Sequence, residues 1–296
     1  MEIKLIEKDQ ASDFIIERDP YLLNFSEFDL QSRLNTTNRV SLEDLLQHLS
    51  QQTLDWTEPE KAKIQDICSH LQKMYLKFSQ YLPESVSFVK TTGRDESEAA
   101  YTRKNRIFLP QMMIKWPLIP LTEMVAHELF HIISRYSPEF TAEWYEKLGF
   151  TACPELKIPQ KYKNLTVSNP DTIGKNCYVK VNKKKIVPFL YSERTYEGGY
   201  FFKYFRYDFV ECEITEKSCN PIIISGDMNF IKTPTHLFEL CKEIDPYENQ
   251  HRLHPEEMLA YSWAIYSIPK EMRQQYQRDY FKKIHDILHY NANFVL

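Results

Sequence analysis

One short stretch, His127-Glu128-Leu129-Phe130-His131, constrains this chain more than any other. Residues four apart lie one above the other on an α-helix, so both histidines face the same way only if the segment is helical. The flanks agree. Met124, Val125, Leu129, Ile132 and Ile133 form an apolar face at helical spacing. Pro120 stands near the start, where proline is tolerated, and Arg135-Tyr136-Ser137-Pro138 ends the segment. The chain must therefore pack around a helix that carries two imidazoles. Two such rings can hold one metal ion, and Glu128, one step round the helix, can take a proton from water. Zinc hydrolases need that arrangement. The plainer possibility is two histidines with ordinary polar partners on a half-buried helix, and the helical context weighs against it.

A catalytic zinc takes three protein ligands and leaves a fourth position for water. The metzincin extension would need glycine at position 134 and histidine at 137, where Ser134 and Ser137 stand. A glutamate at position 150, as in one aminopeptidase class, is replaced by Phe150. His254-Pro255-Glu256-Glu257-Met258-Leu259-Ala260 is the remaining source. Pro255 reads as a first helical residue, so both glutamates fall in a first turn, where they could also merely complement the helix dipole. Glu257 is preferred to Glu256 as the third ligand on the expectation of a two-histidine, one-glutamate site.

With a distant glutamate, the motif resembles the gluzincin type of zinc metallopeptidase. More narrowly, three blocks resemble a family of bacterial zinc peptidases. The first runs from Thr92-Gly93-Arg94 through Ala100-Tyr101-Thr102-Arg103 to Ile107-Phe108-Leu109-Pro110. The second runs from His127 to Ser137-Pro138-Glu139 and Leu148-Gly149-Phe150, and the third is the block around Glu257. The resemblance implies a zincin-like fold, one Zn2+ per chain and a protein or peptide substrate. Some proteins of this kind are bacterial effectors that cut host proteins. Relatives carry an acidic residue four positions after the third ligand, where this chain has Tyr261, a departure that keeps the ligand but not the acid expected to support it. An oxyanion donor is also needed. Gluzincins use tyrosine or histidine, and Tyr261 leads Tyr191, Tyr196, Tyr200 and His254 here.

The rest of the chain reads as α+β, one continuous catalytic domain in three parts. Residues 1–150 carry a possible first strand, helices and the metal helix. Ser41-Leu42-Glu43-Asp44 and Thr57-Glu58-Pro59-Glu60 look like capping boxes, the second opening a long helix to about Tyr81. Ser85–Lys90 alternates as a half-buried strand does, and Asn105–Leu109 is a second strand, either an edge that pairs with a peptide or an interior strand. Ser137 and Pro138 start a helix that Gly149 ends. Residues 151–235 form a β-rich insertion that walls the cleft, with a hairpin over Cys177–Phe189 and strands at Gly199–Tyr207 and Pro221–Ser225. Residues 236–296 are helical, over 255–266 and 270–290. His285 and His289 repeat the four-residue spacing, but with Asp286 between them they read as a solvated edge. Glu123, one turn before His127, could orient a ligand, although an exposed acid in a first helical turn is the blander reading.

Composition excludes several classes. A net charge of −4 without a basic stripe gives no sign of nucleic-acid binding. No run of 18 apolar residues suggests a membrane span, and Met1–Lys8 lacks a signal-peptide core. The expected location is cytoplasmic, or outside the cell by export without a cleavable signal peptide, into a host cell in the effector case. Six scattered cysteines read as free thiols, which suits a reducing compartment, although Cys212 and Cys219 could pair. A deformylase would take a cysteine ligand from an E-G-C motif, and Glu197-Gly198-Gly199 has none. Two further functions are compatible with the same residues. One is a non-peptidase zinc amidohydrolase, and the second is a catalytically silent scaffold or binding protein.

Overall fold

The computed structural model describes residues 1–244 and 253–268. The chain opens with β1 (Glu2–Ile6), α1 (Lys8–Ile15), α2 (Pro20–Leu23), α3 (Glu27–Arg33), α4 (Leu42–Ser50) and α5 (Glu58–Tyr75). Ser41 caps α4 through a full capping box with Asp44. The Thr57 N–H donates to Glu60 Oε2 at 2.9 Å, and the expected long helix passes into a 3-10 turn over Leu76–Tyr81.

Next come β2 (Ser85–Thr91), β3 (Tyr101–Arg103) and β4 (Arg106–Pro110). With β1 they make a sheet of order β1-β2-β4-β3, parallel except for β3. Side chains alternate faces along a strand. Val86, Phe88, Ile107 and Leu109 enter the core shared with the metal helix, whereas Val89 and Phe108 pack against Ile6, Ile15, Leu22 and Leu45. The expectation of a half-buried β2 is thereby corrected, since helices cover both of its faces. Its polar members are buried with partners, as when Lys90 Nζ donates to Glu60 Oε2 at 2.7 Å. The strand at 105–109 is interior, not an edge.

Then follow α6 (Gln111–Ile114), α7 (Leu118–Tyr136) and α8 (Pro138–Lys147). Ser137 precedes Pro138 as expected, but its hydroxyl donates to the Tyr81 carbonyl at 3.4 Å and caps nothing. Gly149, at φ +85°, turns the chain out of α8, a conformation that glycine adopts without a Cβ penalty.

The insertion holds β5 (Phe150–Ala152), α9 (Gln160–Lys163), β6 (Cys177–Val181), β7 (Lys184–Ser192), β8 (Phe205–Ile214), β9 (Cys219–Pro221), β10 (Ile223–Ile224), β11 (Asp227–Met228) and β12 (Phe230–Ile231). The predicted hairpin is β6–β7, turning at Asn182 and Lys183 with φ of 48° and 70°. The predicted strand over Gly199–Tyr207 is corrected. Residues Phe201–Tyr204 form a 3-10 turn, and the strand begins at Phe205 and runs on to Ile214. Gly198 and Gly199 both have positive φ, and the Tyr204 hydroxyl donates back to the Gly198 carbonyl at 3.0 Å, which closes the turn. Phe150, Val179, Ile186 and Phe209 belong to the same core as α7, so the insertion is continuous with the rest of the fold.

Last come α10 (Thr235–Ile244), which falls in the part expected to be helical but ahead of the first helix expected there, and α11 (Pro255–Ser267), which packs along α7. The expected helix at 270–290, with His285 and His289, lies outside the described residues. Cys68, Cys153, Cys177, Cys212 and Cys219 are free thiols, and Cys241 lies outside the described side chains. Among the described residues no helix is long and apolar enough to cross a membrane.

Candidate metal centre

Helix α7 is buried over most of its length, which places His127, Glu128 and His131 against α11 inside the fold. The two Nε2 atoms of His127 and His131 face each other at 3.1 Å. Glu257 Oε2 lies 3.5 Å from the first and 3.9 Å from the second. Four ligands around a zinc at about 2.0–2.1 Å stand roughly 3.3 Å apart along the edges of the tetrahedron. The three donor atoms already stand near that spacing, so they fit one metal ion.

The chemistry of the donors agrees. His131 Nδ1 donates to Glu256 Oε1 at 2.7 Å, which leaves the lone pair of the neutral ring on Nε2. Two ring nitrogens and a carboxylate oxygen, face to face and shielded from solvent, are a donor set that a proton or a metal ion can bridge. Burial opposes a charge on His131, but Asp171, Glu257 and Glu256 outweigh it and lift its pKa to about 9. Burial likewise opposes charge on Glu257, yet the two histidines hold its carboxyl down at about 2.

Glu256 does not join that group of three donors. It is fully buried and accepts four hydrogen bonds: from His131, from Ser134 Oγ at 2.7 Å, from Tyr145 OH at 2.6 Å and from Lys175 Nζ at 2.6 Å. Burial raises its pKa, but the Lys175 ammonium and His131 overcome this and hold it well below the usual carboxylate range. It therefore fixes the ring of His131, as carboxylates behind metal-bound histidines do. Proline at the first position of α11 turns both glutamates toward α7, and His254 caps the helix. Its Nδ1 accepts the Glu256 N–H at 3.1 Å and its Nε2 donates to the Lys175 carbonyl at 3.0 Å. Burial pushes His254 down to about 4, so it is neutral at pH 7.

A scan against known protein families and searches of curated proteins and solved structures find no match.

The centre opens onto a cleft of about 760 Å³. Glu128 lines it, 2% exposed, with Oε2 lacking a hydrogen-bond partner among the described residues. Burial, reinforced by Asp171, raises its pKa well above the usual carboxylate value. Tyr261 also lines the cleft, its ring centroid 4.5 Å from that of His127. Of the remaining oxyanion candidates, Tyr200 reaches the cleft and is largely exposed. The hydroxyl of Tyr191 is spent on Asp208, that of Tyr196 on Asn35 and Gly199, and the nitrogens of His254 on the Glu256 N–H and the Lys175 carbonyl. Glu123 makes no hydrogen bond to either histidine among the described residues. His127 Nδ1 is buried without a hydrogen-bond partner among the described residues, with the Tyr261 ring beside the imidazole.

Three participants gave no sequence signal. Asn169 donates to Glu257 Oε1 at 3.0 Å and so steers Oε2 toward the histidines. Lys175 neutralises Glu256. Asp171 Oδ1 accepts the Thr102 N–H at 3.1 Å and the Thr102 hydroxyl. Edge strand β3 is thereby partly closed. Its outward N–H at Thr102 belongs to Asp171, and Arg135 Nη2 lies 3.4 Å from the Thr102 carbonyl.

Proposed function

We propose that this chain is a zinc-dependent metallopeptidase that hydrolyses a peptide bond in a protein substrate. The convergence of His127 Nε2, His131 Nε2 and Glu257 Oε2 at near-tetrahedral spacing carries the reading. Zinc held by these residues supplies a Lewis acid that polarises a carbonyl and brings the pKa of water toward neutrality. Glu128 accepts a proton from the attacking water through its unpartnered Oε2. It then delivers that proton to the leaving nitrogen. Burial suits it to the second task, because a raised pKa favours the carboxyl's holding the proton that it passes on. Tyr261 borders the cleft beside His127, where its hydroxyl can donate to the developing oxyanion. Glu256, Asn169 and Lys175 hold the ligand side chains in place.

The partly closed edge at Thr102 favours a second reading, a zinc amidohydrolase acting on a compact amide, because a peptide has fewer main-chain partners there. A scan of peptides and small N-acyl amides with the zinc-loaded protein separates the two. Either hydrolase reading predicts that Glu128→Gln keeps its zinc and loses about 10²–10⁴-fold in turnover. A zinc-loaded Glu128→Gln variant with full activity would refute the mechanism.

A further inference from the structure

The cleft contains a second carboxylate that the proton-transfer scheme above does not use. One oxygen of Asp171, one of Glu128 and a ring nitrogen of His131 all lie within 4.8 Å of one another. Both acids are buried, at 6% and 2% exposure, and both line the cleft. Asp171 is anchored through Oδ1 by Thr102, with Arg135 Nη2 3.7 Å away. Glu128 Oε2 has no hydrogen-bond partner among the described residues. A latch between Asp171 and the edge strand explains the first set of contacts. It leaves Glu128 Oε2 buried beside Asp171 in the cleft lining with its hydrogen-bonding capacity unused among the described residues.

Such a pair is relieved by a donor with several hydrogens placed between the two acids. Two oxygens within 4.8 Å of each other can both be reached by one nitrogen donating at about 2.8 Å. Lys175 cannot be that donor, because its ammonium is held by Glu256. Lys203, the lysine lining the cleft, donates to the Gly198 carbonyl.

We propose that Glu128 and Asp171 together seat the amino group of the leaving half of the substrate. The inference rests on the hydrolase reading. In that reaction the amide C–N bond breaks and a C–O bond forms. One water proton passes through Glu128 to the nitrogen, and the new carboxylic acid gives up its proton to the same amine. The products are a carboxylate and an ammonium. Asp171 accepts a hydrogen bond from the nitrogen as it becomes cationic, so Asp171 is a catalytic residue on the amine side. The selected ligand class is a primary alkylammonium with an apolar side chain, which Met113, Met124 and Leu190 along the cleft can cover.

Calorimetry on the full-length protein with leucinol and N-acetylleucinol tests this without requiring turnover. The two probes differ in whether the nitrogen is a cation, and neither contains a scissile peptide. The wild type is expected to bind leucinol at least about tenfold more tightly. Asp171→Asn and Glu128→Gln, both close in shape to the native residues, should each lose that preference while keeping zinc content and melting temperature. Equal binding of the two probes by the wild type would overturn the inference, as would an unchanged preference in both variants. A second equivalent of metal, lost in Asp171→Asn, would also overturn it by making the pair a metal site. Zinc-free wild type would refute the hydrolase reading alone, because the amine preference is measured whatever the metal content.

Discussion

At the scale of single residues, the centre behaves as a site that already holds a cation when no metal is present. His131 stays protonated up to a pH of about 9 because three carboxylates surround it. A metal must displace that proton, since only the neutral ring ligates. Zinc binding at pH 7 should therefore release about one proton. Apparent affinity should weaken by about tenfold for each unit of pH below 9. Calorimetry in buffers of different ionisation enthalpy counts the protons, and zero protons released at pH 7 would contradict the site's electrostatics. The residues of the candidate centre were legible in the sequence for a local reason. His127, Glu128 and His131 are fixed by one helical spacing, and Glu257 by a proline-initiated turn that also carries Glu256. Which of the two glutamates faces both histidine Nε2 atoms depends on Ser134, Tyr145 and Lys175 gathering around Glu256, and no spacing encodes that gathering.

At the scale of elements, a buried arginine ties the cleft wall to the helical layer. Arg33 on α3 donates from Nε to Glu96 Oε2 at 2.9 Å, from Nη1 to Asp29 Oδ1 at 2.9 Å and from Nη2 to Tyr21 OH at 2.9 Å. Nη2 also donates to the Ser168 carbonyl at 3.1 Å, and Asp29 accepts from Ser168 in turn. Glu96 opens the loop into β3, and Ser168 precedes Asn169 and Asp171. One guanidinium thus joins the two segments that border the metal centre. Arg33→Ala leaves two buried carboxylates uncompensated and should cost about 3–5 kcal/mol of folding stability, read by urea denaturation. A loss below about 1 kcal/mol would show that these segments hold together without it. Neither the network nor the partly closed edge at Thr102 could be read from sequence, because each joins residues far apart in the chain. The misread elements have the same origin. β2 carries alternating polar residues that are buried with partners, and Gly198 with Tyr204 folds an aromatic run into a turn instead of a strand.

At the scale of the whole molecule, two helices and an insertion converge on one line of donors. Helix α7 supplies His127, His131 and Glu128, α11 supplies Glu257 and the Glu256 that hydrogen-bonds His131, and residues 169–175 supply Asn169, Asp171 and Lys175. The mixed α+β architecture and the continuity of the insertion with the core follow from apolar periodicities that the sequence displays openly. The chain brings His127, His131 and Glu257 together across more than a hundred residues, with Glu256 set one position away in a different role. Elemental analysis of the purified wild type, Glu257→Ala and Glu256→Ala, each prepared without chelator, tests this division most directly. The expected result is about one zinc per chain in the wild type, none in Glu257→Ala, and in Glu256→Ala a zinc held about 10–100-fold more weakly. A zinc-free wild type, or a Glu257→Ala variant that binds zinc as the wild type does, would contradict the account.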